Sequence, residues 1–257
     1  MPNGFTFLGL DIKYYGLIIA TAFLLGLILV SYLAKKKGYH KDLPFDLLII
    51  IFPLAIIGAR LYYIIFSSRS WTLSQMLAIQ DGGLAIYGGV IGGFIGLLIY
   101  AIVKNIKVIK LTDLAVPALI LGQALGRWGN FFNQEAYGYE VTNSSLQWFP
   151  YAVFIEMENA WHMATFFYES MWNLVGFLLI LVLFLKVDKR GIVTSFYLIF
   201  YGMGRAFIEG LRTDSLYIST TNIRVSQVLS IAMVIAGIGM LIYYYKKQNN
   251  KYKLPKS

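Results

Sequence analysis

Residues 43–66 read LPFDLLIIIFPLAIIGARLYYIIF, a run in which Asp46 and Arg60 are the only charged residues. A helix needs about 20 predominantly apolar residues to cross the hydrocarbon core of a bilayer, and this stretch is long enough. Further apolar segments lie near 15–33, 83–103, 111–133, 166–185, 194–210 and 227–245, when the chain is read in windows of about 19 residues. The expected fold is therefore an all-α integral membrane protein, a single polytopic domain over residues 1–257 built as a bundle of about seven transmembrane helices. Composition agrees, because 58% of the 257 residues are hydrophobic and only 14% charged, where a soluble domain is about a quarter charged. No basic n-region precedes the first apolar run and no small-residue cleavage site closes it, so 15–33 is expected to be a span rather than a removable leader.

The same composition removes whole classes of chemistry. There is no cysteine, hence no disulfide framework, thiolate metal site or cysteine nucleophile, and any thiol chemistry must use a substrate's thiol. His40 and His162 lie far apart and neither opens an H-E-x-x-H pattern, so neither a metal nor another cofactor is expected. The net charge of +9 does not imply nucleic acid, because of where the cations fall. Lys35, Lys36, Lys37 and Lys41, then Lys104, Lys107 and Lys110, then Lys186, Lys189 and Arg190, then Lys246, Lys247, Lys251, Lys253 and Lys256 make fifteen of the 22 Lys and Arg, all on one side of the seven-span path. Lys13, Arg69, Arg212 and Arg224 lie on the other side. The positive-inside rule then puts the N-terminus outside and the C-terminus in the cytoplasm.

Two longer connections are exterior in that topology. In 67–82, Trp71, Leu73, Met76, Leu77 and Ile79 suit a short helix lying in the interface. The cap, 134–165, carries Trp148, Tyr151 and Trp161 but no Lys or Arg. It reads either as an exterior segment touching headgroups or as an unstructured loop with scattered aromatics.

Charge within a span is costly, about 2.5–3.5 kcal/mol for Arg at a helix centre on insertion scales, so Arg60, Arg127 and Arg205 each demand a partner or a watery cavity. All three fall in the outer half of outward-running spans, at the depth where Tyr15, Asp81 and Tyr87 begin inward-running ones. Tyr197, Tyr201, Arg205, Glu209 and Arg212 are spaced four, four, four and three, which places them on one helical face. Arg205 and Glu209 are spaced to pair. Arg127, Asn130 and Gln134 share another face, while Gly122, Gly126 and Gly129 form a stripe for close helix approach, as do Gly88, Gly92 and Gly96. Tyr87 is either a packing residue or a hydroxyl in the polar cavity. Two or three guanidiniums in a low-dielectric, outward-opening pocket suit a phosphate held by bidentate, charge-assisted bonds. Phospholipid is the phosphate most available there, and Asn130, Asn133 and the tyrosines can hydrogen-bond its glycerol or ester oxygens. The residues alone thus lead to an outer-leaflet anionic-lipid site that includes Arg60.

At these residues the chain resembles the bacterial prolipoprotein diacylglyceryl transferases. GRWGNFFNQEAYG at 126–138 resembles the family signature; Tyr14, Tyr15 and Gly16, GGLAIYGG at 82–89, and YGMGRAFIEGLR at 201–212 resemble further elements, so the likeness spans nearly the whole chain. The resemblance implies transfer of the diacylglyceryl group of phosphatidylglycerol to the thiol of the lipobox cysteine in a prolipoprotein signal peptide, with release of glycerol phosphate. It implies the first step of lipoprotein maturation, in the bacterial cytoplasmic (plasma) membrane, with the site toward the outer leaflet and no metal. It makes Arg127 and Arg205 the essential cations, with Tyr15, Asn130, Asn133, Glu135, Gly138, Tyr201, Glu209 and Arg212 supporting the site. Where many members place a histidine before the paired glycines of the third span, this chain has Tyr87, a weaker candidate base that otherwise hydrogen-bonds the headgroup or thiol. The family's HPTFLYE-like segment is here MATFFYE at 163–169, with His162 one position early. His162 inherits no catalytic role and reads as an exterior loop residue, as His40 reads as a cytoplasmic one.

An intramembrane polar cavity also fits a lipid transporter or flippase, or a noncatalytic anionic-lipid-binding scaffold. Transport would favour two repeated halves with paired helix interruptions, and the sequence has neither. A scaffold would bind headgroups without consuming lipid.

Overall fold

The computed structural model describes residues 3–7, 9–67, 70–78, 82–217, 221 and 223–251, so Arg69, Ile79, Asp81, Lys253 and Lys256 lie outside the described residues. In chain order the elements are β1 (Gly4–Phe7), β2 (Leu10–Lys13), α1 (Tyr14–Lys36), α2 (Leu43–Phe66), α3 (Leu73–Leu77), α4 (Ile86–Val103), α5 (Val108–Asn133), β3 (Ala152–Ile155), β4 (Ala160–Met163), α6 (Thr165–Lys186), α7 (Ile192–Glu209) and α8 (Val225–Lys251). Among the described residues six helices are long and apolar enough to cross a membrane: α1, α2, α4, α5, α6 and α8. They expose apolar side chains that a soluble fold would bury, such as Ile49 at 71% and Ile102 at 77%, as lipid-facing helices do. The expected span at 194–210 does form a helix, α7, but it is not among the six, because Tyr197, Tyr201, Arg205 and Glu209 dilute its apolar content. The protein is thus a mostly helical, multi-pass membrane protein. Two small antiparallel hairpins, β1–β2 and β3–β4, are added to the helices.

The chain packs as two compact units, Val30–Thr112 and the combination of Met1–Leu29 with Asp113–Ser257. In the first, α2 and α4 approach closely because Gly88, Gly92 and Gly96 face α2. A Cβ on Gly92 would come within 2.9 Å of the Leu54 carbonyl carbon, and one on Gly96 within 3.0 Å of Ile51 Cα. Such contact replaces the hydrophobic driving force that lipid removes. At one end the pair is tied by Ala85 N donating to Ala59 O at 3.0 Å, at the other by Asp46 with Lys104 at 3.3 Å. The expected interfacial helix in 67–82 is the short α3, started by a capping box in which Thr72 and Gln75 exchange hydrogen bonds.

In the second unit α5 and α6 run antiparallel. Ser170 Oγ donates to Ala124 O at 2.8 Å, and Trp128 Nε1 donates to Ser170 Oγ at 3.1 Å. Trp172 Nε1 donates to Phe200 O of α7 at 3.0 Å, and α8 lies against α7 over Gly202 and Gly237. Of the α5 glycine stripe, Gly129 is filled by the Tyr15 ring of α1, whereas a Cβ on Gly122 would meet nothing within 4 Å.

The cap is ordered rather than unstructured. Val153, Ile155, Ala164 and Phe166 form its core, with Trp128, Phe131 and Tyr137 packed against them. Gly138 N donates to Met163 O at 2.9 Å and Tyr139 N to Leu211 O at 3.1 Å. His162, expected in a loop, lies in β4, 8% exposed, with Nδ1 2.9 Å from Gly138 O.

Gly92→Ala is expected to destabilise by about 1–3 kcal/mol through overpacking, lowering the melting temperature in detergent. Gly122→Ala, a helical glycine in open space, should raise it slightly. Equal melting for both variants would refute this account of the stripes.

Candidate functional site

In the second unit two arginines meet at one buried carboxylate. Glu169 of α6 has a side chain only 4% exposed, and each of its oxygens takes a different arginine: Oε1 lies 2.7 Å from Arg127 Nη2 of α5, and Oε2 lies 2.8 Å from Arg205 Nη1 of α7. Arg205 also places Nη2 2.6 Å from Glu209 Oε2, one turn on, as an ion pair without an aligned hydrogen bond. Two guanidiniums and two carboxylates therefore balance in a low-dielectric bundle, where unpaired charge is costly. Tyr201 lies within electrostatic reach of Glu169, Arg127 and Arg205, and Tyr15 within reach of Arg127 and Glu135.

The polar end of α5 continues the cluster. Arg127 Nη1 donates to Asn130 Oδ1 at 3.2 Å; Asn130 Nδ2 and Asn133 Nδ2 both donate to Glu135 Oε1, at 2.9 and 3.2 Å. Glu135 reaches back because α5 stops at Asn133 and Gln134 turns with φ 50°. Gln134, expected on the Arg127 face, instead accepts Glu156 N from the cap at 2.7 Å.

Gly138 and Arg212 adjoin the cluster and bind the cap down. A Cβ on Gly138 would meet Met163, Thr165 and Leu211 at 2.8–2.9 Å, so only glycine passes there. Gly138 pairs with Arg212 as an isolated antiparallel bridge. Because α7 ends at Glu209, Arg212 leaves the expected helical face and grips Asp214 with two hydrogen bonds, at 2.8 and 2.6 Å. Burial works to raise the Asp214 carboxyl, but Arg212 outweighs it and holds the acid below the usual carboxylate range.

Arg60 and Tyr87 belong to the other unit. Arg60 spends all five of its N–H groups on backbone carbonyls: Nε on Met76, Nη1 on Gly82 and Gly83, Nη2 on Gln75 and Ala78. A guanidinium has no further donors, so this one organises the loop after α2 and keeps none for a headgroup. Tyr87, in the first turn of α4, is half-buried with its ring 6.2 Å from that of Tyr62.

Sequence reasoning passed over Glu169. The signal was present in MATFFYE, which holds an acid at the head of an otherwise apolar span, and no cation lies within one turn of it on that helix. Its partners are 42 and 36 residues away. Arg224, read as a loop cation, is buried at 9% and donates to Glu209 O and, at 3.0 Å, to Tyr139 Oη.

A family model described as prolipoprotein diacylglyceryl transferase matches residues 2–243. Among curated proteins, phosphatidylglycerol–prolipoprotein diacylglyceryl transferase 1 of Clostridium perfringens is 43% identical, over 98% of this chain and 97% of its own length. The Streptococcus pneumoniae phosphatidylglycerol–prolipoprotein diacylglyceryl transferase is 47% identical over 93% and 92%. Its namesake from Listeria monocytogenes is 41% identical over 95% and 89%.

Glu169→Ala leaves two guanidiniums facing each other without their shared acid. It is expected to cost about 3–5 kcal/mol, a larger fall in detergent melting temperature than Asp214→Ala produces. Arg60→Ala should speed proteolysis within residues 70–78 while leaving binding of phosphatidylglycerol unchanged; loss of lipid binding would make Arg60 a headgroup ligand after all.

Proposed function

The chain belongs to the prolipoprotein diacylglyceryl transferase family, and on that footing we propose how its residues divide the work. The protein is a multi-pass membrane enzyme that performs the first step of lipoprotein maturation. Phosphatidylglycerol is the donor and a prolipoprotein the acceptor, as its relatives' names imply. The acceptor atom is the thiol of the lipobox cysteine: the chain has no cysteine of its own, so the sulfur comes from the substrate. The membrane is the bacterial plasma membrane, with the reacting groups toward its outer leaflet, a reading supported by the Lys-rich connections.

In the reaction the thiol gives up its proton to bulk solvent as the thiolate forms, and the sulfur attacks the glyceryl carbon that carries the phosphate ester. A carbon–sulfur bond forms, the carbon–oxygen bond breaks, and its electron pair stays with the departing glycerol phosphate. Negative charge thus moves from sulfur to phosphate oxygen, turning a diester monoanion into a monoester dianion. Groups aimed at that oxygen in a dry site lower the barrier because they need not reorganise. Arg127 and Arg205 are those groups. The observation that carries this reading is the two guanidiniums held side by side on Glu169, each with N–H groups beyond those that Glu169, Glu209, Asn130 and Tyr201 engage.

Glu209 orients Arg205. Asn130, Asn133, Glu135, Tyr15 and Tyr201 line the approach to Arg127 and hold the glycerol portion of the headgroup. Gly138 and Arg212 serve by keeping the cap against the ends of α6 and α7. Arg60 acts on its loop, in the other unit.

The test uses purified protein in phosphatidylglycerol liposomes with a lipobox peptide. Glycerol phosphate should appear with the cysteine peptide and not with its serine counterpart. Arg127→Lys and Arg205→Lys should each lower kcat by about 100-fold or more, because lysine lacks the planar fork. Full activity in both lysine variants would exclude the two arginines from the transition state. Lipid binding without product in the unaltered protein would favour a scaffold.

A further inference from the structure

Asp113 stands near the start of α5, well before the signature residues of that helix. It is buried, 7% exposed, and its carboxylate accepts three hydrogen bonds from the beginning of α7. Oδ2 accepts from Gly191 N at 2.6 Å; Oδ1 accepts from Thr194 N at 2.9 Å and from Thr194 Oγ1 at 2.7 Å. A capping box normally satisfies these two amides with side chains of the cap residue and of the third helical residue. Here the cap residue is Gly191, which has no side chain, and one acid from another helix serves both amides. No ordinary capping residue fits in its place. Gly191 has φ 79°, and a Cβ there would lie 2.7 Å from Tyr244 Cε2.

The spacing gives this cap its consequence. Asp113 to Arg127 is fourteen residues along α5, and Gly191 to Arg205 is fourteen along α7, about 21 Å of helix in each case. The two helices are therefore joined twice at matching heights, by Asp113 at one end and by Glu169 at the other. A carboxylate near a helix N-terminus is favoured by the dipole as well as by the hydrogen bonds, so the tie has one preferred depth.

We infer that Asp113 is a positioning residue for diacylglyceryl transfer, setting the depth of α7 at which Arg205 stands level with Arg127 on Glu169. This rests on the transfer reading above, and the test separates the two. Misplacement of a reacting group by about 1 Å costs on the order of 100-fold in rate, so a cap remote from the chemistry is enough to govern it.

The chain's lack of cysteine allows spin labels at Leu119→Cys on α5 and Phe207→Cys on α7, both exposed, at 46% and 74%. In this labelled background Asp113→Ala is expected to shift the interlabel distance and to lower kcat by about 10- to 100-fold. Asp113→Asn, which keeps one acceptor oxygen, should recover part of both. A folded Asp113→Ala protein with unchanged kcat overturns the inference, whether or not the distance moves. If that variant does not fold, Thr194→Val removes only the hydroxyl contact and should produce a smaller change in both readouts; no change in either overturns it equally. An unaltered protein without transfer activity, in which the distance still shifts on Asp113→Ala, would sink the transfer reading and leave the depth-setting role of Asp113 intact.

Discussion

Glu169 is the group on which the site depends. Two guanidiniums repel each other strongly in a bundle that faces lipid, and their Coulomb energy grows as the local dielectric falls. One carboxylate with an oxygen for each turns that repulsion into a three-helix tie among α5, α6 and α7. Its value lies in geometry as much as in energy, since a buried ion pair gains little over an apolar core. Held this way, the arginines are positioned before any substrate arrives.

The three intramembrane arginines show how context assigns roles to identical side chains. Arg60 gives its five N–H groups to carbonyl dipoles, lies beside the Tyr63 and Trp71 rings, and becomes a loop organiser. Arg127 and Arg205 meet carboxylates that leave part of each fork unused. The difference is one of stoichiometry: a guanidinium fully matched by acceptors is structural, and one partly matched can bind an anion. The cap is anchored by arginines held in other ways, Arg212 by both oxygens of the Asp214 carboxylate and Arg224 by Glu209 O and Tyr139 Oη.

Much of this was legible in the sequence because it rests on local periodicity. Apolar runs located the long helices, and four-residue spacing found the Arg205–Glu209 pair and marked Gly88, Gly92 and Gly96 for close helix approach, without naming α2 as the partner. What escaped was tertiary. Glu169 has partners on two other helices, and the saturation of Arg60 depends on a loop that folds back 15–23 residues later. Arg212 fell off its predicted face because α7 ends at Glu209, a boundary that spacing alone does not mark. The β3–β4 hairpin was hidden for a related reason, since its short strands carry no clear alternation, and His162 was misjudged with them. The β1–β2 hairpin lies just ahead of the first span, where the apolar signal of α1 dominates.

The polarity of α7 bears on how the protein is made. Among the described residues six helices are long and apolar enough to cross a membrane, and α7 is not among them. Alone in hydrocarbon it would carry Arg205 and Glu209 with only each other for company. Its neutralising acid, Glu169, sits on α6, which emerges first during synthesis, as does Arg127 on α5. Membrane insertion of α7 is therefore coupled to the helices already in place, and the charge pairing that serves the chemistry also sets an order of assembly.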